Sequence, residues 1–195
     1  KIIRFFVYFF SFITFASLLY IIVFIFINGI SALSPEMFAW KYTTSNVSMM
    51  PAIITTFIVV FFALLIAAPI GVFTAFYLIE YADANNKFIN IIRVATDTLS
   101  GIPSIVYGLF GMLFFVLFLG FQYSLIAGIL TSVIMVLPVI IRSTEEALLS
   151  VNVSLREGSF ALGAGKLRTI FRVVLPVAMP GILSGVILAV GRIVG

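Results

Sequence analysis

The 195-residue chain is 63% hydrophobic and 9% charged, against about 45–50% and about 25% for an ordinary soluble domain. It has no cysteine and no histidine, which excludes disulfides, thiolate metal sites and the usual near-neutral general base. The net charge of +4 falls in short loops beside apolar runs, a distribution that points to orientation in a bilayer rather than to nucleic acid.

Lys1 and Arg4 precede an apolar run from Phe5 to Ile27, roughly 34 Å as a helix and long enough to span. A secretory leader has an apolar region of about 7–15 residues and a small-residue cleavage site; this run is longer and lacks that ending, which favours an anchor. The loop Asn28–Met50 carries Trp40 and Tyr42, whose rings suit the interfacial belt. A second span is predicted over residues 52–78, with a tilt or kink at Pro69, because proline frees a backbone carbonyl that a neighbour must satisfy.

The polar interval Glu80–Ser100 reads as a short amphipathic helix lying at the interface. Gly101-Ile102-Pro103 opens a third span, 102–119, with proline in the first helical turn, where a missing N–H costs nothing. Gly101, Gly108 and Gly111 are candidates for close helix approach. Gly120–Gln122 would turn the chain into a fourth span, 123–141, and a fifth is expected over 173–193, starting near Val173 and carrying Pro176, Pro180, Gly181 and Gly185. The fold class is therefore all-α, a polytopic transmembrane helical bundle forming one domain.

With a cytoplasmic N-terminus, the inner segments hold Lys1, Arg4, Lys87, Arg93, Arg142, Arg156, Lys166, Arg168 and Arg172, and the outer ones only Lys41. That asymmetry sets the predicted topology. Five spans leave the C-terminus outside, and the sequence ends at Gly195 in an apolar run, so a truncated sequence is expected.

Residues 145–172 form a long polar interval on the inner side, in a chain otherwise built for lipid. Ser154-Leu155-Arg156-Glu157 has the S-x-x-E form of a capping box, which predicts a helix starting at Leu155. Gly163 is its expected stop, so the helix would cover Leu155 to Leu162. A second amphipathic stretch, Lys166 to Arg172, would return the chain to the membrane. Gly163-Ala164-Gly165-Lys166 is not a phosphate-binding loop: that pattern needs Gly at 160 and Ser or Thr at 167, where Phe160 and Leu167 stand.

Glu157-Gly158-Ser159, Gly163, Val173 and Leu175-Pro176 stand at the spacing of the EAA loop of ATP-binding-cassette importer permeases, and the chain resembles that family. The family pattern has alanines where Gly158 and Ser159 stand and isoleucine at Val173, small-for-small and β-branched-for-β-branched changes. Gly101-Ile102-Pro103-Ser104-Ile105-Val106-Tyr107-Gly108-Leu109-Phe110-Gly111 resembles the third-span signature of phosphate importer permeases. Leu137-Pro138 with Arg142-Ser143-Thr144-Glu145-Glu146-Ala147-Leu148 is more similar to the A-type permease subunit (PstA) than to its C-type partner. Ser154–Glu157, Val174–Pro176 and Gly185–Arg192 fit the same family.

The resemblance implies a type I importer permease, with a sixth span expected beyond Gly195 and a docking surface for a motor held by another chain. Its docking residues would be Ser154, Leu155, Arg156, Glu157, Gly158, Ser159, Ala161, Leu162 and Gly163. It further implies a heterodimer with a PstC-like permease, a PstB-like cytosolic ATPase dimer, a PstS-like extracellular phosphate-binding protein and surrounding membrane lipid. ATP and Mg would be used by the ATPase, with no cofactor in this chain, and the site would be a prokaryotic cell membrane.

Arg192 lies within or near the fifth span. It either snorkels to the outer interface or faces the bundle interior as a contact for an anion, whose oxygens a guanidinium fork matches. Arg142, at the inner end of the fourth span, is a positive-inside anchor or a second such contact. The resemblance implies that both lie on the phosphate path. Other readings are a permease for molybdate or sulfate, and an ATPase-independent secondary transporter or channel. An enzyme is least expected, since the spans carry no His, Cys or paired acidic constellation.

Overall fold

The structure is a computed structural model that describes residues 2–30, 33–82 and 86–195. Lys1, counted above among the inner cations, lies outside the described residues, as do Asp83–Asn85 of the predicted amphipathic interval. The chain divides into two compact units, Lys1–Ile54 and Thr55–Gly195, described in turn.

In the first unit, α1 spans Ile2–Ile30 and has no buried residue. Its phenylalanines stack at helical spacing, Phe5 on Phe9 at 6.1 Å and Phe6 on Phe10 at 6.2 Å, a pairing that the i, i+4 geometry dictates. The loop is a polar knot centred on Asn46. Its Oδ1 accepts from the Thr43 N–H at 2.9 Å and its Nδ2 donates to the Lys41 carbonyl at 2.9 Å. Trp40 and Tyr42 remain exposed.

The helix α2, Met50–Tyr81, starts in the first unit and continues through the second. It runs uninterrupted through Pro69 and widens into a π-turn over Tyr77–Tyr81, longer than the predicted 52–78. The amphipathic helix α3 is Lys87–Ser100, begun by Asn86, whose side chain accepts from the Phe88 N–H at 2.9 Å. Glu80 and Tyr81 belong to α2 instead. The next helix, α4, Ser104–Phe118, is bent by 104° from α3. Pro103 stands just before its first turn, in the extended region (φ −58°, ψ 141°), rather than inside it.

The fourth predicted span becomes α5, Leu125–Leu149. The linker before it occupies residues 119–124, with positive φ at Gly120 and Gln122. The helix extends past the expected end at Ile141, so Arg142, Glu145 and Glu146 are helical rather than in the loop. A short α6, Val153–Ala161, follows, and α7, Lys166–Val194, completes the fold. This last helix begins before the predicted Val173: a π-turn over Ile170–Val174 leads directly into the segment holding Pro176. Proline removes an N–H and crowds the carbonyl four residues back, and the wider turn accommodates that loss without ending the helix.

Four helices are long and apolar enough to cross a bilayer, and the number rises to five where the α3–α4 pair, bent by 104°, counts as one broken span. All regular structure among the described residues is helical. The second unit is built on α5. A Cβ on Gly181 would lie 2.6 Å from Ala147, and one on Gly185 would overlap Ser143, so α5 and α7 run antiparallel in backbone contact. Gly71 of α2 lies under Ile140, and Gly111 of α4 under Thr131. Small residues therefore set the approach, as in lipid they must. Gly101 and Gly108 do not contribute: a Cβ at Gly108 meets nothing within 4 Å. Leu148, Val174 and Ala178 are buried in one core, Ala67, Val136, Ile140 and Ala189 in another.

Candidate functional site

Three places carry polar side chains that apolar packing alone does not explain. The first is α6. Its start is set by Asn152, whose side-chain oxygen accepts from the Ser154 N–H at 3.0 Å. The predicted capping box at Ser154–Glu157 is not used, and the helix begins at Val153 rather than Leu155. Two oxygen-bearing side chains compete for one helix start, and the one preceding the first turn prevails.

The predicted stop is present and has a defined geometry. Gly163 has φ +80°, its N–H donates to the Phe160 carbonyl at 2.9 Å, and the Ala164 N–H donates to the Ser159 carbonyl at 3.1 Å. That pair of bonds is a Schellman ending. Between these caps no residue of α6 is buried, and Leu155, Phe160 and Leu162 are exposed, the last at 89%. Glu157, Gly158 and Ala161 are also exposed.

Two side chains tie α6 to the spanning helices. Arg156 donates to the Leu148 carbonyl at the end of α5 (2.9 Å) and pairs with the Glu80 carboxylate at the end of α2 (2.7 Å). The Ser159 and Thr169 hydroxyls are hydrogen bonded at 2.9 Å, joining α6 to the first turn of α7. The Lys166 ammonium donates to the Glu80 backbone carbonyl and lies 4.5 Å from the centre of the Tyr81 ring. Two cations thus meet the C-terminal end of α2, where the helix dipole favours positive charge. Arg156 is therefore a fastener as well as a member of the predicted docking set, and Glu80 is its unforeseen partner.

The second place holds Arg142. Its guanidinium pairs with Asp97 of α3 and, at 3.4 Å, with Glu146 one turn on. Arg93 approaches Glu145 at 4.0 Å. These side chains, with Ile79 and Leu149, line a cavity of about 280 Å³. Two guanidinium groups face three carboxylates, so the cluster is net negative and Arg142 is engaged rather than free.

The third place is Arg192. Four residues forward from Gly181 to Gly185 correspond to four back from Ala147 to Ser143; seven further steps bring Arg192 level with Val136, near the middle of α5. Arg192 thus lies opposite the middle of α5, two residues before the end of α7 at Val194. Its Nη2 donates to the Ile102 carbonyl at 3.0 Å, and its guanidinium carbon is 5.8 Å from the centre of the Tyr107 ring. The α3–α4 break places that carbonyl outside both helices, and a backbone group shielded from water needs a protein partner. Arg142 and Arg192 are not brought together. Level with residue 186 by the same register, Arg142 is six residues from Arg192 along α7, roughly 9 Å.

Sequence reasoning missed Asn152, Glu80, Asp97 and Tyr107. Only the first was visible locally, as a second capping residue just before the helix.

Residues 67–195 match the family described as binding-protein-dependent transport system inner membrane component. The chain is 39% identical over 174 residues to the probable ABC transporter permease protein YqgI of Bacillus subtilis (strain 168), covering 88% of this chain and 59% of that protein. It is 45% identical over 133 residues to the phosphate transport system permease protein PstA of Mycobacterium leprae, covering 68% and 43%. An inward-facing structure of the MetNI methionine ABC transporter superposes with a TM-score of 0.60 at 28% identity, covering 72% of this chain and 65% of that one. The chain spans about half the length of these two curated relatives.

Proposed function

The chain belongs to the family of binding-protein-dependent transport system inner membrane components, and on that premise we propose that it is a permease subunit of an ATP-driven phosphate importer. It sits in a prokaryotic cell membrane with its N-terminus inside and pairs with a PstC-like permease. A PstS-like binding protein delivers phosphate from outside, and a PstB-like ATPase dimer hydrolyses ATP with Mg on the cytosolic side. This chain performs no hydrolysis itself.

The exposed face of α6 is the docking element. Force applied there reaches α2 through Arg156–Glu80, α5 through Arg156–Leu148, and α7 through Ser159–Thr169. These links touch the inner ends of three helices whose packing encloses the path, so a rigid displacement of α6 moves them together. Alternating access needs only that coupled motion, not chemistry in the spans.

The feature that carries the substrate assignment is the guanidinium of Arg192, opposite the middle of α5 and bonded to the Ile102 carbonyl. A guanidinium stays charged at every working pH and matches phosphate oxygens bidentately, and a charge within a spanning helix is costly unless used. Relatives named phosphate transport permeases, at 45% identity in one case, support the same choice among oxyanions. Arg142 is a second contact on the inner side, reached when its pairing with Asp97 opens.

The test is Arg192→Gln in the assembled transporter, with phosphate, sulfate and molybdate uptake measured in parallel. Loss of ATP-dependent phosphate uptake, with assembly intact, is expected. Wild-type uptake by the variant would remove Arg192 from the path. Uptake that survives ATP depletion and stops with an uncoupler would instead identify a proton-driven carrier.

A further inference from the structure

Tyr107 is buried at 4% exposure and lies one turn into α4. Its hydroxyl donates to the Leu99 carbonyl at 2.6 Å, on the other side of the 104° break. Its ring faces the guanidinium of Arg192, which donates to Ile102 within the break. One side chain therefore touches both arms of the break and the arginine that closes it.

Arg192 offers five N–H donors. Its only protein acceptor among the described residues is the Ile102 carbonyl. The Nη1 and Nε edge therefore stays available for a two-point contact with an oxyanion, provided the guanidinium plane is held. A ring within about 6 Å of a guanidinium attracts it electrostatically, more strongly where water is excluded. We propose that Tyr107 is a positioning residue for Arg192: its ring orients the guanidinium toward the anion path, and its hydroxyl fixes the α3–α4 break whose Ile102 carbonyl anchors the same group.

This rests on the transport reading, and the experiment separates the two. In the reconstituted complex, Tyr107→Leu should raise the KM for phosphate about tenfold, the scale of a desolvated cation–π contact, whereas Tyr107→Phe should stay within about twofold. Assembly yield should be unchanged in both. Should Tyr107→Leu fail to assemble, Tyr107→Met, of similar length and without a ring, replaces it. The chain has no cysteine, so the thiol introduced by Ser100→Cys is the only one it carries. Its rate of reaction with a membrane-permeant maleimide should rise severalfold in both Tyr107→Phe and Tyr107→Leu, because both lose the hydroxyl bond to Leu99. An unchanged KM in the ringless variant, or reduced assembly with unchanged KM, would overturn the orienting role. Unchanged thiol reactivity would overturn the hold on the break. A wild-type complex with no phosphate uptake would sink the transport reading, while the thiol measurement, which needs no substrate, would still decide whether Tyr107 holds the break.

Discussion

Arg156 and Glu80 form an ion pair in which the guanidinium is 21% and the carboxylate 9% exposed, joining α6 to the C-terminal end of α2. Removing one partner of a partly buried pair strands the other and costs about 1–3 kcal/mol. Arg156→Gln should therefore lower thermal stability of the assembled protein and uncouple ATP hydrolysis from uptake. Glu80→Gln combined with Arg156→Gln should recover much of the stability and little of the coupling. A melt and a coupled uptake–ATPase assay on the single and double variants check this, and additive losses in stability would contradict the pairing.

Gly163→Leu places a branched side chain at φ +80°, which costs a non-glycine residue about 1–2 kcal/mol. The Schellman ending should open and α6 should lose its orientation. The expected outcome is normal membrane insertion with loss of the ATPase on co-purification. Gly163→Asn, which tolerates the left-handed region, should retain the ATPase. Recovery of the ATPase by the leucine variant would mean that the ending of α6 is unimportant for docking.

Asn152→Ala should destabilise α6 by about 1 kcal/mol, the ordinary worth of a helix N-cap. Ser154→Ala should be nearly neutral, because the Ser154 N–H is the recipient of the cap and its hydroxyl caps nothing. Hydrogen exchange across residues 153–161 distinguishes the two. Faster exchange in Ser154→Ala alone would restore the capping box.

Gly185→Leu should prevent stable folding, since even a Cβ there overlaps Ser143 and overpacking costs about 1–3 kcal/mol or more. Gly108→Ala, with open space at its Cβ, should change stability by less than about 0.5 kcal/mol. Detergent melts of the purified variants measure both. Equal tolerance would show that α5 and α7 are less closely apposed than their glycines require.

The spans were legible because lipid imposes a length and an apolarity that few other environments demand. The Gly163 ending was legible for a similar reason: a polar interval with one well-placed glycine has few alternatives. The start of α6 was misread because Ser154–Glu157 satisfies a local pattern while Asn152, two residues earlier, satisfies the geometry. Helix ends near Leu149 and Lys166 are not legible because apolarity marks the membrane, not the helix, and both helices continue past their apolar stretches. The partners of Arg142, Arg156 and Arg192 come from Asp97, Glu80 and Ile102. Such pairings join distant parts of the chain, and no periodicity or spacing encodes them.

The π-turn at Ile170–Val174 has a consequence for how this helix tolerates insertions and deletions. A π-turn holds one residue more than an α-turn can, so it acts as a stored insertion inside a continuous rod. Deleting one residue within it would restore an ordinary turn, leave Ala178, Gly181 and Gly185 against α5, and keep Lys166 beside Glu80 and Thr169 beside Ser159. Deleting one residue from an ordinary turn of the same helix would instead rotate one end against the other by about 100°. The surplus residue thus makes Ile170–Val174 a stretch where a single deletion leaves both contact surfaces in phase, the one matched to α6 and α2 and the one matched to α5.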